Sequence, residues 1–325
     1  MSKKFNNNIL LYTLVILVLI FAVVKLYRWK FTESTLNTKL VEIDTSKVTK
    51  LLLYPTSENR SEIKFYKEEK TWKVTKGKII ADLEPNTMQN LINMLLEIKV
   101  LRLATHEKTK WAEYNLTDTT ATRIKVYQSN KKVLDLYIGK FTYQRGNGMY
   151  GGMYGGGGSG TSYIRRADED EVYAVDGFLT FSFNQQFNAF RNQTIARFDK
   201  SNVNKFTFKY PGDSSFTVNF ADKKWMIDNQ KLDSAKISDY LSAMAYKSSN
   251  SFNDNFIPSA SAQCQLTFEG KNMKTVNIDA YMLGNDEYVL NSNQNSKSWF
   301  TSKYKGIFSD IFKNKKSFIT EKKKK

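Results

Sequence analysis

Hydrophobic and polar positions fall into three successive patterns along residues 48–104, and the same three return at 203–247. The first copy reads VTKLLLYP, SEIKFYKEEKTWKVTKG and PNTMQNLINMLLEIKV; the second reads VNKFTFKYP, SSFTVNFADKKWMIDNQ and LDSAKISDYLSAMAYK. Each opens with a strand-like run that ends at Tyr-Pro, Tyr54-Pro55 and then Tyr210-Pro211. In the hairpin that follows, Ile63, Phe65, Trp72 and Val74 alternate with charged residues, the period-2 signature of a half-buried strand pair. Trp225 takes the place of Trp72 in the second copy. Internal similarity at this scale signals a repeated structural unit.

The third pattern has the period of a helix. Met88, Leu91, Ile92, Leu95 and Leu96 fall at i, i+3, i+4, i+7 and i+8, with Pro85 suited to a first turn. Ile237, Tyr240, Leu241 and Met244 repeat the stripe behind Asp233, a natural N-cap. Beyond the helices, Thr122, Ile124 and Val126 match Cys264, Leu266 and Phe268 at a constant offset. Leu134, Leu136 and Ile138 match Val276, Ile278 and Ala280 at the same offset. Further short strands are expected at 162–165 and 172–174, and at 287–290 and 298–300. Short connections make the sheets mainly antiparallel. Between the copies, Leu179, Phe183, Phe187 and Phe190 have helical spacing and predict a bridging helix.

The expected fold is therefore α+β, a tandem duplicated unit of mainly antiparallel sheets, each with one packed amphipathic helix. A single N-terminal transmembrane helix precedes it. The boundaries are an anchor at 1–30, a linker at 31–47, a first repeat at 48–176, a bridging segment at 177–202, a second repeat at 203–312 and a basic tail at 313–325. The anchor follows from sixteen residues without a charge, Ile9 to Val24. Extended to Tyr27, with Lys25 snorkelling, the run makes about 28 Å of helix against a hydrocarbon core of about 30 Å. Ile9, Leu10, Leu14, Leu17, Ile20 and Val24 would face lipid, with Tyr27 and Trp29 at the interface. A cleaved signal peptide is the rival reading, but no small-x-small site follows Phe21. Basic residues flank both ends of the run, and long domains often translocate regardless of such charges, so the soluble part is expected in the periplasm.

Charge changes the picture by where it sits. The formal net charge is +17, yet five Lys/Arg without an acid lie in 1–30, and seven Lys against Glu321 lie in 313–325. A nucleic-acid-binding domain gathers such charge on a folded face, so no nucleic-acid partner is expected. The tail could instead meet anionic lipid. One cysteine, Cys264, excludes an intramolecular disulfide framework.

Candidate chemistry is sparse. Residues 146–160, GNGMYGGMYGGGGSG, hold nine of the sixteen glycines. No Lys-Ser/Thr follows as a phosphate-cradling loop requires, so this is a long hairpin tip. Met149, Tyr150, Met153 and Tyr154 make it a possible partner-contact loop. Asp168 to Glu171 lacks the spacing of a calcium loop and reads as a solvated turn. His106, the single histidine, lies in a polar stretch and serves no metal cluster or triad. No catalytic, metal-ligating or cofactor-binding residue is nominated, and no cofactor is expected.

Several segments together resemble a known family: Trp72-Lys73-Val74, Ala81-Asp82, Tyr114-Asn115-Leu116, Ile138-Gly139-Lys140, Tyr163-Ile164-Arg165, Val172-Tyr173-Ala174-Val175 and Phe190-Arg191. In that order they are similar to a bacterial domain family of unknown function often encoded beside ABC-type transporters of the gliding-motility class. The resemblance spans about residues 40–200, and the family usually has glycine where Asn115 stands. It implies an inner-membrane single-pass protein with a periplasmic domain, an accessory to ABC transporter subunits, and brings no catalytic residues. The expected function is thus a non-enzymatic accessory or scaffold protein of a transport or motility complex. A cell-envelope glycan- or peptide-binding protein is the alternative, and an envelope hydrolase a third reading.

Overall fold

The computed structural model describes residues 12, 14–23, 25, 40–144, 159–304 and 306–319. The first half contains β1 (Val48–Tyr54), β2 (Ile63–Glu68), β3 (Thr71–Lys76), β4 (Ile79–Asp82), α1 (Thr87–Leu96) and β5 (Val100–Thr105). It continues with β6 (Thr122–Gln128), β7 (Lys131–Gln144), β8 (Ser159–Arg166) and β9 (Val172–Asp176). These nine strands form one sheet in the order β4-β3-β2-β1-β6-β7-β8-β9-β5. A bridge of two short helices, α2 (Leu179–Phe183) and α3 (Phe187–Phe190), leads into β10 (Thr194–Arg197).

The second half contains β11 (Val203–Lys209), β12 (Phe216–Ala221), β13 (Lys224–Ile227), β14 (Gln230–Lys231), α4 (Ser234–Met244) and β15 (Tyr246–Ser248). Then come β16 (Cys264–Gly270), β17 (Val276–Gly284), β18 (Glu287–Ser292), β19 (Phe300–Ser302) and α5 (Gly306–Ile311). Its eight-stranded sheet runs β14-β13-β12-β11-β16-β17-β18-β19, while β10 pairs separately with β15. The pairings within both sheets are antiparallel.

The two sheets agree in register as well as in order. Leu51 and Leu53 face Val126 and Ile124 across β1 and β6, as Phe206 and Phe208 face Phe268 and Leu266 across β11 and β16. The register shifts at the same place, between Val48 and Lys50 and between Val203 and Lys205. Ile124 opposes Leu136 as Leu266 opposes Ile278. Ahead of each central strand a short turn is capped alike: Asp44 accepts from the Ser46 amide, and Asp199 from the Ser201 amide.

Burial explains the register, because a one-residue slip would turn every inward side chain outward. Leu51, Leu53, Ile63, Phe65, Ile124 and Leu136 enclose one core with the α1 stripe; Phe206, Phe208, Leu266, Phe268 and Ile278 enclose another with that of α4. Trp72 and Trp225 pack at the rims of their respective cores. Asp233 caps α4, accepting from the amides of Ala235 and Lys236.

Four local expectations are corrected. The bridging helix is broken: Asn184 and Arg191 close two short helices, although all four apolar residues, Leu179, Phe183, Phe187 and Phe190, are buried. Leu96 is 39% exposed, because the chain leaves α1 there and only Met88, Leu91, Ile92 and Leu95 reach the core. Pro85 precedes α1 instead of lying in its first turn, with Asn86 left-handed between them. VLRLAT at 100–105, not anticipated, pairs with β9 as a bulged edge strand.

Candidate interaction surface

Alternation along the first sheet sends Leu51, Leu53, Ile124, Leu136 and Ile164 into the core, so their neighbours form the opposite face. Reading across strands, Lys50 stands opposite both Tyr66 and Tyr127. A second row places Tyr54 opposite Arg123, Arg123 opposite Tyr137, and Tyr137 opposite Arg165. Cations and aromatic rings thus alternate over the face. The Arg165 guanidinium lies 3.9 Å from the Tyr137 ring and 3.6 Å from Trp111, and Arg123 lies 4.8 Å from Tyr137. Lys50 sits 4.0 Å from the Tyr127 ring, Lys64 5.0 Å from Tyr66, Lys125 5.1 Å from Tyr54, and Lys140 5.0 Å from Tyr114.

The end of this ladder is built by the 3-10 turn Lys108–Tyr114, closed by Asn115 at φ 55°. That left-handed position explains why a glycine suits it. The Trp111 indole donates to the Asp170 carbonyl at 2.9 Å, and Arg165 Nε donates to the Leu116 carbonyl at 3.0 Å. Gly139 lets the turn approach: a Cβ there would stand 2.1 Å from the Tyr114 carbonyl oxygen. Leu116, Tyr137, Tyr163, Val172 and Ala174 are buried together beneath it. The motif residues Tyr114, Asn115, Leu116, Gly139, Lys140, Tyr163, Arg165 and Ala174 therefore converge in one small structure, which their separation in sequence conceals.

Electrostatics divide the cations into two groups. Arg123 and Lys132 hold Asp135, at 2.8 and 2.6 Å. Burial acts to raise the Asp135 carboxyl, but the hydrogen bonds from Arg123 and Lys132 outweigh it and keep it below its ordinary value. A hydrogen bond from Tyr137, aided by the Arg165, Arg123 and Arg60 charges, similarly lowers Asp118. Among the described residues, by contrast, Lys50, Lys64, Lys125 and Lys140 lie on rings without a carboxylate partner.

A second exposed surface occupies the end of β7. Phe141, Tyr143, Phe178 and Phe181 cluster there with ring centroids 4.6 to 6.4 Å apart, and Tyr143 and Phe181 are more than half exposed. Beside them an open cavity of about 390 Å³ is lined by Met94, Ile98, Phe178 and Leu179. Leu101 and Leu103 lie exposed on the edge strand β5, which β8 and β9 separate from β7. Between the halves, a groove of about 790 Å³ is lined by Glu58, Lys76, Phe187, Asn188 and Asp254. Its acids are engaged: Glu58 by Lys76 and the Phe187 amide, Glu62 by the Tyr54 hydroxyl at 2.6 Å, and Asp254 by the buried Arg191 at 2.6 and 2.9 Å.

The partner-contact residues Met149, Tyr150, Met153 and Tyr154 lie outside the described residues, as do Ile9, Leu10, Val24, Tyr27 and Trp29. Leu14, Leu17 and Ile20 are helical and exposed. Among the described residues no helix is long and apolar enough to cross a membrane. His106 is exposed between β5 and the 3-10 turn, Cys264 is buried, and Asp168 lies in a turn. Among the described residues no group of three or more His, Cys, Asp or Glu side chains gathers as a metal site.

The fold is an α+β architecture of two mostly antiparallel sheets with a few helices. The family described as "Domain of unknown function (DUF4340)" matches residues 81–263, more than half of the chain, and the protein belongs to that family. No curated protein and no solved structure matches it.

Proposed function

We propose that this is a non-enzymatic accessory or scaffold protein of an ABC-type transport or gliding-motility complex. Residues 1–30 anchor it in the inner membrane as a single pass, with the two sheets in the periplasm. The two sheets descend from one duplicated unit, as their shared order, register and bulge support. The observation that carries the docking role is the aromatic end of β7. Four exposed rings packed on one another form a surface of the kind that marks protein contacts. The groove between the halves favours a second reading, a cell-envelope glycan or peptide binder.

Gentle-detergent capture of the tagged full-length chain from native membranes tests the first reading. Stoichiometric recovery of permease and ATPase subunits is expected, reduced at least tenfold by Tyr143→Ser with Phe181→Ser. Recovery of the protein alone, under conditions that preserve another membrane complex, would sink it.

A further inference from the structure

The alternating lysines and tyrosines of the first sheet take no part in the ring cluster just described, although Lys140 directly precedes Phe141 on β7. We propose that this outward face is a membrane-binding surface for an anionic lipid leaflet. The proposal rests on the anchor reading for its geometry.

Two observations choose a bilayer as the occupant. The first is charge. Lys50, Lys64, Lys125 and Lys140 project from β1, β2, β6 and β7, each held on a tyrosine ring and, among the described residues, unpaired with any carboxylate. Ammonium groups fixed in this way suit the repeated phosphates of a lipid surface, and tyrosines suit the interfacial zone. Leu52, opposite both Lys64 and Lys125, adds an apolar contact at the centre.

The second is the length and attachment of the chain that leads to the body. Nine residues, 31–39, separate the proposed anchor from Leu40, and span at most about 32 Å. The chain joins the body at the end of the sheet where β1 and β6 meet, with Leu40 and Val41 buried in the core on its inward side. The Leu40 carbonyl accepts from Arg166 at 3.3 Å and the Asp44 carbonyl from Gln128 at 3.0 Å, beside the Val48–Gln128 pair at which β1 and β6 meet. A tether of that length keeps the first sheet within reach of the leaflet at a high effective concentration.

The test uses the full-length chain with Cys264→Ser, labelled with a fluorophore at Leu52→Cys or at Ser238→Cys, an exposed position on α4. It is placed in nanodiscs carrying a nitroxide on the lipid headgroup. With phosphatidylglycerol present, quenching at position 52 should exceed that at 238 at least threefold. That excess should vanish in pure phosphatidylcholine or when Lys50, Lys64, Lys125 and Lys140 are all changed to Gln, with an unchanged thermal midpoint showing that the variant is folded. Equal quenching at the two positions in a chain that resists carbonate extraction would overturn the proposal while leaving the anchor intact. So would protection of position 52 by a soluble acidic polysaccharide and not by anionic lipid. If carbonate extracts the chain, the anchor reading fails. Flotation of that chain on phosphatidylglycerol vesicles then decides: tenfold weaker binding of the four-Gln chain supports the face, and equal binding overturns it.

Discussion

The two sheets share strand order, core register and even a bulge, yet their outward faces have different chemistry. In the first, a row of Tyr54, Arg123, Tyr137 and Arg165 crosses four strands. The row at the same register in the second is Lys209, Gln265, Asp279 and Asn291. Gln265 donates to Asp279 at 3.0 Å, and Thr267 to Asn277 at 3.0 Å, so ordinary polar hydrogen bonds replace guanidinium–ring stacks. The edges differ too. β19 is flanked by Ser251 to Asn253, whose backbone bonds to Thr301 and Trp299, whereas among the described residues no further strand pairs with β5. Inward residues fix the topology through burial. Outward residues are free to diverge, so the search for function belongs on the face and edge that only the first sheet possesses.

Removing the centre of the ladder should break the comparison most strongly. Arg165→Met leaves the buried Leu116 carbonyl without its donor and takes a cation from between two rings, costing about 3 kcal/mol. Asn291→Ala, at the corresponding site, loses bonds to the Ser296 and Ser298 carbonyls near the surface, costing about 1 kcal/mol. Urea unfolding of the two variants measures both; equal losses would mean that the ladder is not the keystone of the first sheet's outer face.

A smaller effect comes from two glycines that do not correspond. Gly139 occupies the place of Tyr281, and Gly270 that of Gln128, each glycine where a backbone passes close. A Cβ at 139 would meet the Tyr114 carbonyl and one at 270 the Asn202 carbonyl, at 2.1 and 1.9 Å. Gly139→Ala and Gly270→Ala should each cost about 2 kcal/mol through overpacking. Thermal unfolding of the two variants measures both. A neutral Gly139→Ala would show that the Lys108–Tyr114 turn can move away from β7.

Legibility followed the same division. Period-2 and helical stripes exposed the paired hairpins and both core helices, because burial writes directly into those patterns. The constant offset between Ile124 and Leu266 anticipated a register that the backbone then displays. The Asp-x-Ser turns at Asp44 and Asp199 were readable from the chain, had the repeat been extended four residues upstream. The break at Asn184 was not, because Leu179 to Phe190 keeps helical spacing through it while tertiary packing buries the same four residues from two short helices. Nor was β5, whose bulges against β9 blur the alternation of VLRLAT. The cation–ring face stayed hidden for a different reason. Tyr54, Arg123, Tyr137, Arg165 and Trp111 meet only after four strands and a turn are assembled, and no spacing in one segment encodes that meeting.

The smallest predicted difference is in acid. Asp135 projects from β7 between Arg123 and Lys132, while the second sheet has uncharged Asn277 at the matching place. Burial opposes its charge, but the two donors keep its folded pKa below the ordinary carboxylate value of about 3.9. A depressed folded value means that the unfolded chain takes up the proton first on acidification. The contribution is therefore fully present above that ordinary value and drains away as pH falls through the folded one. Between pH 6 and pH 3 the wild-type chain should lose about 1 kcal/mol from this carboxylate, a loss absent in Asp135→Asn. Exchange of backbone amides on β6 and β7, compared with β16 and β17 over the same range, localises the effect. Protection lost equally from both pairs, or a slope unchanged in Asp135→Asn, would assign the acid sensitivity to other carboxylates and remove this charge from the account of how the two sheets differ.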